Sequence, residues 1–236
     1  MKAFLLAAGL GTRLRPLTET IPKCLVRISG RPLLFHWLDL LEREKVREVL
    51  INTHYHSTAV LDALALFRTN VKIEVFHEPQ LLGSAGTVAR NREFVKGEQD
   101  FFIVYADNLT NVSLSALLEF HQSRPSLFST YLYETNTPTK KGIVVIERET
   151  GKVLEFQEKP SEPKSNLAHA GISVANRKIF ELMTEKVPLD FGFDVMPRLI
   201  GAMYALKAEG YIRDIGTLRD LEEAQMEWER LPRTRA

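Results

Sequence analysis

Through residues 2–122, short apolar segments alternate with segments whose apolar residues recur at helical spacing. The strand-like segments are residues 2–8, 46–53, 71–77 and 100–105, and the helix-like segments are residues 33–41, 57–67, 84–94 and 113–122. Strands that alternate with helices form parallel sheets, because a crossover is needed to bring each new strand back alongside the last. The sequence therefore predicts an α/β fold, a Rossmann-like, mixed but mainly parallel sheet flanked by helices.

The pattern changes after about residue 125, where strand-like segments are joined by turns. Residues 128–133, 142–147, 153–158 and 171–175 are predicted strands, and residues 176–186, 192–207 and 217–230 are predicted helices. No linker-like stretch separates this part from the first. We therefore expect a single domain over residues 1–236, with one half at 1–125 and the other at 126–236.

Composition excludes several classes of protein. The net charge is +1, from 31 basic and 30 acidic residues, so the basic excess of a nucleic-acid-binding protein is absent. No stretch approaches the ~20 apolar residues of a membrane span. The apolar start leads into Arg13 and Arg15 without a cleavage region, unlike a signal peptide. A single cysteine, Cys24, fits a reducing compartment. We expect a soluble cytoplasmic protein with no nucleic-acid or membrane partner.

The loop that follows the first predicted strand, residues 6–16, has the sequence Leu-Ala-Ala-Gly-Leu-Gly-Thr-Arg-Leu-Arg-Pro. Glycines allow the backbone to approach an anion closely, and arginines carry fixed positive charge. The loop lacks the Gly-Lys-Ser/Thr of a Walker A motif, and Leu14 stands where a dinucleotide fingerprint needs its third glycine. On these residues alone, a phosphate loop and a structural turn both stay open.

Four further segments combine polar residues with glycine, asparagine or proline at the ends of predicted elements. They are residues 78–87 (EPQLLGSAGT), 105–108 (YADN), 156–160 (FQEKP) and 211–217 (YIRDIGT). Taken singly, each is most simply a helix cap, a turn or an exposed strand end. Asp107 is the most informative, since a carboxylate at the tip of an apolar strand is well placed for Mg²⁺.

Together, the loop at residues 6–18, the pair Pro22-Lys23 and these four segments resemble the motifs of the sugar-1-phosphate nucleotidyltransferases, in the family's order. The resemblance runs from Lys2 to about Ala224. It implies an enzyme that joins a nucleoside triphosphate to a sugar-1-phosphate and releases pyrophosphate, with Mg²⁺ as cofactor. It also implies that half 1–125 binds the nucleotide and half 126–236 the sugar phosphate.

The resemblance carries specific residues with it. It implies catalytic roles for Arg13 and Lys23, and metal binding by Asp107 and Asp214. The implied nucleotide-binding residues are Leu6, Ala8, Gly9, Gly11, Thr12, Arg13, Gln80, Gly83, Ser84 and Gly86. The implied sugar-phosphate-binding residues are Asn108, Gly142, Glu158, Lys159 and Gly171.

The substrates are less determined than the reaction. Residues 83–86 (GSAG) look more like mannose-1-phosphate guanylyltransferases than like the Gly-Leu-Ala-Gln of thymidylyl members. Ala106 replaces a family glycine, and His169 replaces a family asparagine, a sugar contact. The favoured pair is GTP with mannose-1-phosphate or a related manno-configured sugar phosphate.

Several alternatives stay open. One is a thymidylyl-, uridylyl- or adenylyltransferase acting on glucose-1-phosphate or an amino-sugar-1-phosphate. A non-enzymatic alternative is a regulatory subunit that binds nucleotide sugars, although such a subunit is expected to have lost the charged site residues, which this chain retains. The oligomeric state is also open, a homo-oligomer included.

Overall fold

The structure is a computed structural model that describes residues 1–231, so the last five residues of the predicted domain 1–236 lie outside the described residues. The strands are β1 (Lys2–Leu6), β2 (Arg27–Ile28), β3 (Arg31–Pro32), β4 (Glu48–Thr53), β5 (Lys72–His77), β6 (Asp100–Tyr105), β7 (Asn108–Thr110), β8 (Phe128–Glu134), β9 (Gly142–Ile146), β10 (Val153–Glu158), β11 (Leu167–Asn176), β12 (Met203–Lys207) and β13 (Ile212–Asp214). The α-helices are α1 (Leu33–Arg43), α2 (Ser57–Leu66), α3 (Ser84–Arg90), α4 (Leu114–Gln122) and α5 (Leu218–Arg230).

One large mixed sheet organises the molecule, in the order β10-β9-β11-β6-β1-β4-β5, with β8 paired to β11 and β12 paired to β8. Strands β6, β1, β4 and β5 are mutually parallel, as the alternation in the first half predicts. The long strand β11 runs antiparallel to β6 and joins the strands of the second half to this parallel core. The predicted Rossmann-like α/β fold is confirmed, with the antiparallel pairs concentrated in the second half.

Both faces of the parallel core are covered. Leu5 of β1 packs with Trp37 and Leu41 of α1 on one face. Its neighbour Phe4 packs on the other face, with Phe101 and residues of α3. Because each central strand is buried on both sides, its sequence is a continuous apolar run rather than an alternating one. Within residues 1–231, no helix is both long and apolar enough to span a bilayer.

The predicted helix at 192–207 is wrong. The chain instead makes a π-helical turn at Phe191–Val195 and a 3-10 turn at Met196–Leu199, and then enters strand β12. Gly201 adopts φ 94°, a left-handed conformation that ends the turns, and β12 then pairs with β8. The pairing partner lies far away in sequence, so local spacing alone could not reveal this strand.

Two helix starts also differ in detail. Helix α2 begins after His56, which adopts φ 52°, and Ser57 does not cap it. The helix predicted at 176–186 is a shorter 3-10 segment, Arg177–Leu182, whose start is capped by Asn176. The cap predicted at the start of the 113–122 helix is present, since Ser113 Oγ accepts a hydrogen bond from the Ala116 amide.

Candidate active site

Two adjoining pockets open beyond the carboxyl ends of β1, β4 and β6, the edge at which parallel sheets bind ligands. The first pocket, of about 390 Å³, takes its wall partly from five of the predicted nucleotide-binding residues: Leu6, Ala8, Gly9, Gly83 and Ser84. The second, of about 240 Å³, takes its wall partly from the five predicted sugar-phosphate-binding residues: Asn108, Gly142, Glu158, Lys159 and Gly171. Tyr105 and Asp107 lie in both walls, so the pockets meet at the predicted metal-binding position.

The other predicted nucleotide-binding residues do not line the first pocket. Gln80 is exposed, and Thr12 begins a 3-10 turn. Gly11 adopts φ 63° and leaves room for the side chains of Lys23 and Thr18, because a Cβ there would lie 3.1 Å from each. These three residues shape or flank the loop rather than face its cavity.

Gly86 and Arg13 have other surroundings. Gly86 packs on Leu189, whose carbonyl oxygen accepts a hydrogen bond from the Gly86 amide at 2.9 Å. Arg13 lines the second pocket, and its guanidinium lies over Gly216. Arg13 therefore reaches the junction of the pockets from the sugar-phosphate side.

The two predicted metal-binding aspartates lie side by side although they are distant in sequence. Asp107 follows β6, and Asp214 ends β13, where it is paired in register with Asn108 of β7. The Ile215 amide donates a hydrogen bond to the Asp107 carbonyl oxygen at 2.8 Å, which fixes the two backbones against each other. The short β7–β13 ladder therefore positions both carboxylates at the meeting point of the pockets.

Lysine side chains neutralise this carboxylate pair. Lys23 Nζ lies 2.7 Å from Asp107 Oδ2 and 3.8 Å from Asp214 Oδ1, and Lys141 Nζ contacts Asp214 Oδ2. Burial alone would raise the pKa of Asp214, but the charges of Lys23 and Lys141 outweigh burial and hold that pKa below its usual value. Asp214 Oδ1 is buried and has no hydrogen-bond partner among the described residues. This oxygen is an unused acceptor at the centre of the site.

A buried polar network supports the floor of the first pocket. Asn52 Oδ1 accepts a hydrogen bond from the Ala7 amide at 2.6 Å, and Asn52 Nδ2 donates to Glu78 Oε1 at 2.8 Å. Thr87 Oγ1 donates to the same Glu78 oxygen, while the Leu82 amide donates to Glu78 Oε2 at 3.0 Å. Asn52, Glu78 and Thr87 all line the pocket, and they tie the loop after β1 to the start of α3.

The second pocket carries its own ionisable groups. Burial raises the pKa of Glu158, partly offset by Lys159, whose Nζ lies 3.4 Å from Glu158 Oε1. Burial lowers the pKa of His169 to about 4, so this imidazole is neutral at pH 7. Asp190 accepts hydrogen bonds from the Gly192 amide and from Ser84 Oγ, both at 2.8 Å. Ser84 therefore links the two pockets directly.

Cys24 lines the first pocket, yet burial raises the pKa of its thiol to about 12. A thiol of that pKa stays protonated at neutral pH and is a poor nucleophile. Cys24 is therefore a packing residue of the pocket wall.

Sequence reasoning missed several residues of these walls, among them the polar residues Asn52, Glu78, Lys141 and Asp190. Asn52 had a signal, because it is a polar residue at the end of an otherwise apolar strand, at the edge where ligands bind. Lys141 had none, since the pair Lys140-Lys141 before a strand resembles any exposed turn. Asp190 had none either, since it lies two residues before the helix that the sequence predicted at 192–207.

Comparisons with known proteins find relatives over nearly the whole chain. The family model described as "Nucleotidyl transferase" matches residues 2–230. Mannose-1-phosphate guanylyltransferase 1 of Arabidopsis thaliana is 34% identical over 226 residues, which cover 93% of this chain and 62% of that protein. The catalytic subunit beta of mannose-1-phosphate guanylyltransferase from Danio rerio is 32% identical, with the same shares of the two chains covered. The chain thus spans a little under two thirds of the length of these curated relatives.

A solved structure extends the likeness to three dimensions. A UDP-glucose pyrophosphorylase, solved with UDP-glucose, superposes with a TM-score of 0.83 at 22% identity. The match covers 97% of this chain and 98% of that one. At this level of identity the likeness establishes a shared fold.

Proposed function

The chain belongs to the nucleotidyl transferase family, and from that premise we propose that it transfers a nucleotidyl group from a nucleoside triphosphate to a sugar-1-phosphate. One observation carries the proposal: two pockets meet at a carboxylate pair neutralised by lysines. Such a junction suits the joining of two phosphate compounds. The half 1–125 supplies most of the first pocket, and the half 126–236 supplies most of the second.

In the proposed reaction, an oxygen of the sugar phosphate attacks the α-phosphorus of the nucleotide. A new P–O bond forms, the bond from the α-phosphorus to the bridging β-oxygen breaks, and pyrophosphate leaves with that electron pair. A phosphate monoester with a second pKa of about 6 is already mostly dianionic at pH 7, so no general base is required. The barrier comes from bringing two anions together, and positioning and charge neutralisation lower it.

Different basic side chains neutralise the different phosphate groups. Lys23, in the wall of the first pocket, stabilises the charge that develops at the α-phosphate. Arg13 lines the second pocket beside the junction, and we propose that it neutralises the β- and γ-phosphates from that side. Lys159, in the wall of the second pocket, holds the phosphate of the sugar. Glu158 lies beside Lys159 and is placed to accept hydrogen bonds from sugar hydroxyls.

The donor set at the junction fits Mg²⁺. Within residues 1–231 no cluster of three or more His, Cys, Asp or Glu side chains is arranged to hold a metal. Mg²⁺ commonly binds through one or two carboxylates and completes its shell with water and substrate phosphate oxygens. Asp107 and Asp214 would hold it, and the unused Asp214 Oδ1 supplies a free acceptor. When bound, Mg²⁺ supplies Lewis-acid neutralisation of phosphate charge.

For the substrates, we propose GTP with mannose-1-phosphate or a related manno-configured sugar phosphate. The curated relatives named above are mannose-1-phosphate guanylyltransferases, which supports this choice. Glu78 bears on the choice between guanine and adenine. Its Oε1 has two hydrogen-bond donors, while Oε2 has only the Leu82 amide among the described residues and retains a free lone pair. That lone pair can accept one N–H, which guanine offers at N1, whereas adenine has an acceptor nitrogen at N1. Uracil and thymine also offer one N–H, so this contact favours guanine over adenine only.

A pyrophosphate-release screen tests this function. The purified protein is given GTP, ATP, UTP, CTP or dTTP with mannose-1-phosphate, glucose-1-phosphate or an amino-sugar-1-phosphate, in the presence of Mg²⁺. We expect pyrophosphate with GTP and the manno-configured sugar. Release with dTTP alone would instead favour a thymidylyltransferase, and no release with any pair would favour a regulatory binding protein.

Replacing Glu78 by glutamine is expected to weaken the preference for GTP over ATP by at least about tenfold, measured as a ratio of kcat/KM. The substitution removes the negative charge and can set an amide donor against the guanine donors, and one lost hydrogen bond of 1–3 kcal/mol corresponds to such a factor. The matched control is Glu74→Gln, which changes an exposed carboxylate on β5, the strand that ends just before Glu78. If a folded Glu78→Gln protein kept the same preference for GTP over ATP, Glu78 would have no role in recognising the base.

A further inference from the structure

Lys141 approaches the aspartate pair from the side opposite to Lys23. Lys23 lies in the wall of the first pocket, whereas Lys141 lies in the wall of the second, beside Lys159. The Lys141 backbone is fixed at the start of β9, where its carbonyl oxygen accepts a hydrogen bond from the Lys159 amide at 3.0 Å. Asp214 therefore stands between a lysine of each pocket.

The charges of this cluster already exceed neutrality without a ligand. Three cationic side chains, Arg13, Lys23 and Lys141, act on Asp214, while Asp107 and Asp214 are the two anions they surround. The side chains of Lys23, Lys141 and Asp214 are only 10%, 21% and 19% exposed, so water screens these charges weakly. A divalent cation arriving alone would meet carboxylates that are already paired with these cations.

Arriving phosphates change this balance. A nucleoside triphosphate and a sugar-1-phosphate bring several negative charges into the two pockets, and each lysine then has a phosphate within its own pocket to pair with. The ammonium group of lysine is a compact charge on a flexible stem, so it can exchange one anion for another by rotating that stem. The carboxylate it leaves becomes available to a metal ion.

We propose that Lys141 is such an exchanging cation: it occupies Asp214 in the free protein and turns to the sugar phosphate when the substrates bind. The proposal rests on the proposed function, and it makes Lys141 a second ligand of the sugar phosphate, besides Lys159. It also makes divalent metal bind together with the phosphates rather than before them. A lysine with a purely structural role would pair with Asp214 in every state and would affect neither substrate.

Metal binding in the absence of substrates gives the first test. Free Mn²⁺ is titrated against the intact protein by electron paramagnetic resonance, with no nucleotide or sugar present. We expect Lys141→Met to bind Mn²⁺ at least fivefold more tightly than the original protein, because Asp214 Oδ2 is released and one positive charge is removed. Unchanged or weaker Mn²⁺ binding in a folded Lys141→Met protein would overturn the proposal.

The control for this titration is Lys207→Met. Lys207 forms an ion pair with Glu134 at 2.7 Å on an exposed part of the sheet, outside both pockets. The Lys207→Met substitution also removes one positive charge and one ion pair. The Mn²⁺ affinity and the activity of this variant are expected to match those of the original protein. A fivefold rise in Mn²⁺ affinity in this control as well would attribute the effect to net charge and would also overturn the proposal.

Steady-state kinetics give the second test. Lys141→Met is expected to raise the KM for the sugar-1-phosphate at least tenfold while the KM for the nucleotide stays within about twofold. Lys141→Arg keeps the charge and is expected to retain most of the affinity for the sugar phosphate, and it also serves if the methionine variant does not fold. An equal change in both KM values, or in neither, would contradict the proposal.

If the original protein turns over no substrate pair, the proposed function fails. The Mn²⁺ titration then still decides whether the ion pair with Lys141 keeps metal from binding to Asp214.

Discussion

Replacement of Lys23 by alanine is expected to lower turnover by a factor of about 10²–10³, the usual cost of removing one group that stabilises charge in the transition state. Lys23 Nζ lies 2.7 Å from Asp107 and 3.8 Å from Asp214, so it lies at the junction where the proposed reaction joins the two phosphates. The KM for the nucleotide is expected to rise as well, because the first pocket loses a positive charge. Pyrophosphate release under saturating and limiting nucleotide measures both effects.

The fold of this variant is expected to stay intact. Lys23 belongs to a short 3-10 turn that is held by backbone hydrogen bonds, among them one from the Val26 amide to the Lys23 carbonyl oxygen at 3.1 Å. Lys141 remains to neutralise Asp214. Lys96→Ala, which breaks only an exposed ion pair with Glu93, is the matched control. The prediction would be wrong if a Lys23→Ala protein with an unchanged unfolding temperature showed near-normal turnover. Lys23 would then have no role in the reaction.

The location of the site could be predicted from the sequence. Apolar runs that end in Gly9 and in Asp107 predicted two strands of one parallel sheet, and parallel strands present their carboxyl ends at a common edge. In the structure β1 and β6 are direct neighbours, with Leu6 opposite Tyr105, so the loop and the aspartate do meet. This part of the prediction rests on the continuous apolar runs alone, because a strand buried on both faces is apolar throughout.

The approach of Asp214 to Asp107 could not be predicted in the same way. Strands β7 and β13 have three residues each, too few for any periodicity, and they pair across about half the chain. Only the resemblance to known enzymes placed Asp214 beside Asp107. Long-range pairing of short strands depends on the tertiary structure, which no local pattern encodes.

The segment at residues 78–87 illustrates the same limit. The resemblance implied that Gly83 binds the nucleotide, but Gly83 makes its closest approach to the chain itself: a Cβ there would lie 2.4 Å from the Leu189 carbonyl oxygen. The amides of Ala85 and Gly86 both donate to that oxygen, at 3.0 and 2.9 Å. Leu189 lies just before the turns that the sequence assigned to a helix. The contact between Leu189 and Gly83 could therefore not be predicted from the sequence.

Replacement of Asp107 by alanine is expected to lower kcat by about 10²–10³, as for Lys23, but with the opposite effect on nucleotide binding. The substitution removes a negative charge from the junction, so nucleotide without metal meets a more positive pocket and is expected to bind with equal or higher affinity. Mn²⁺ binding in the presence of nucleotide is expected to weaken at least tenfold, since only Asp214 remains as a carboxylate ligand.

The isosteric variant Asp107→Asn separates charge from shape. It keeps the size of the side chain and one oxygen acceptor, so a loss of turnover close to that of Asp107→Ala would assign the effect to the charge. Lys23 loses its anionic partner at 2.7 Å in both variants but keeps Asp214 at 3.8 Å, which limits the cost of leaving a cation in a buried site. A kcat within a few-fold of normal, or Mn²⁺ binding in the presence of nucleotide that equals that of the original protein, would contradict the assignment of Asp107 to the metal, because a lost metal ligand must weaken the binding of the metal together with the nucleotide.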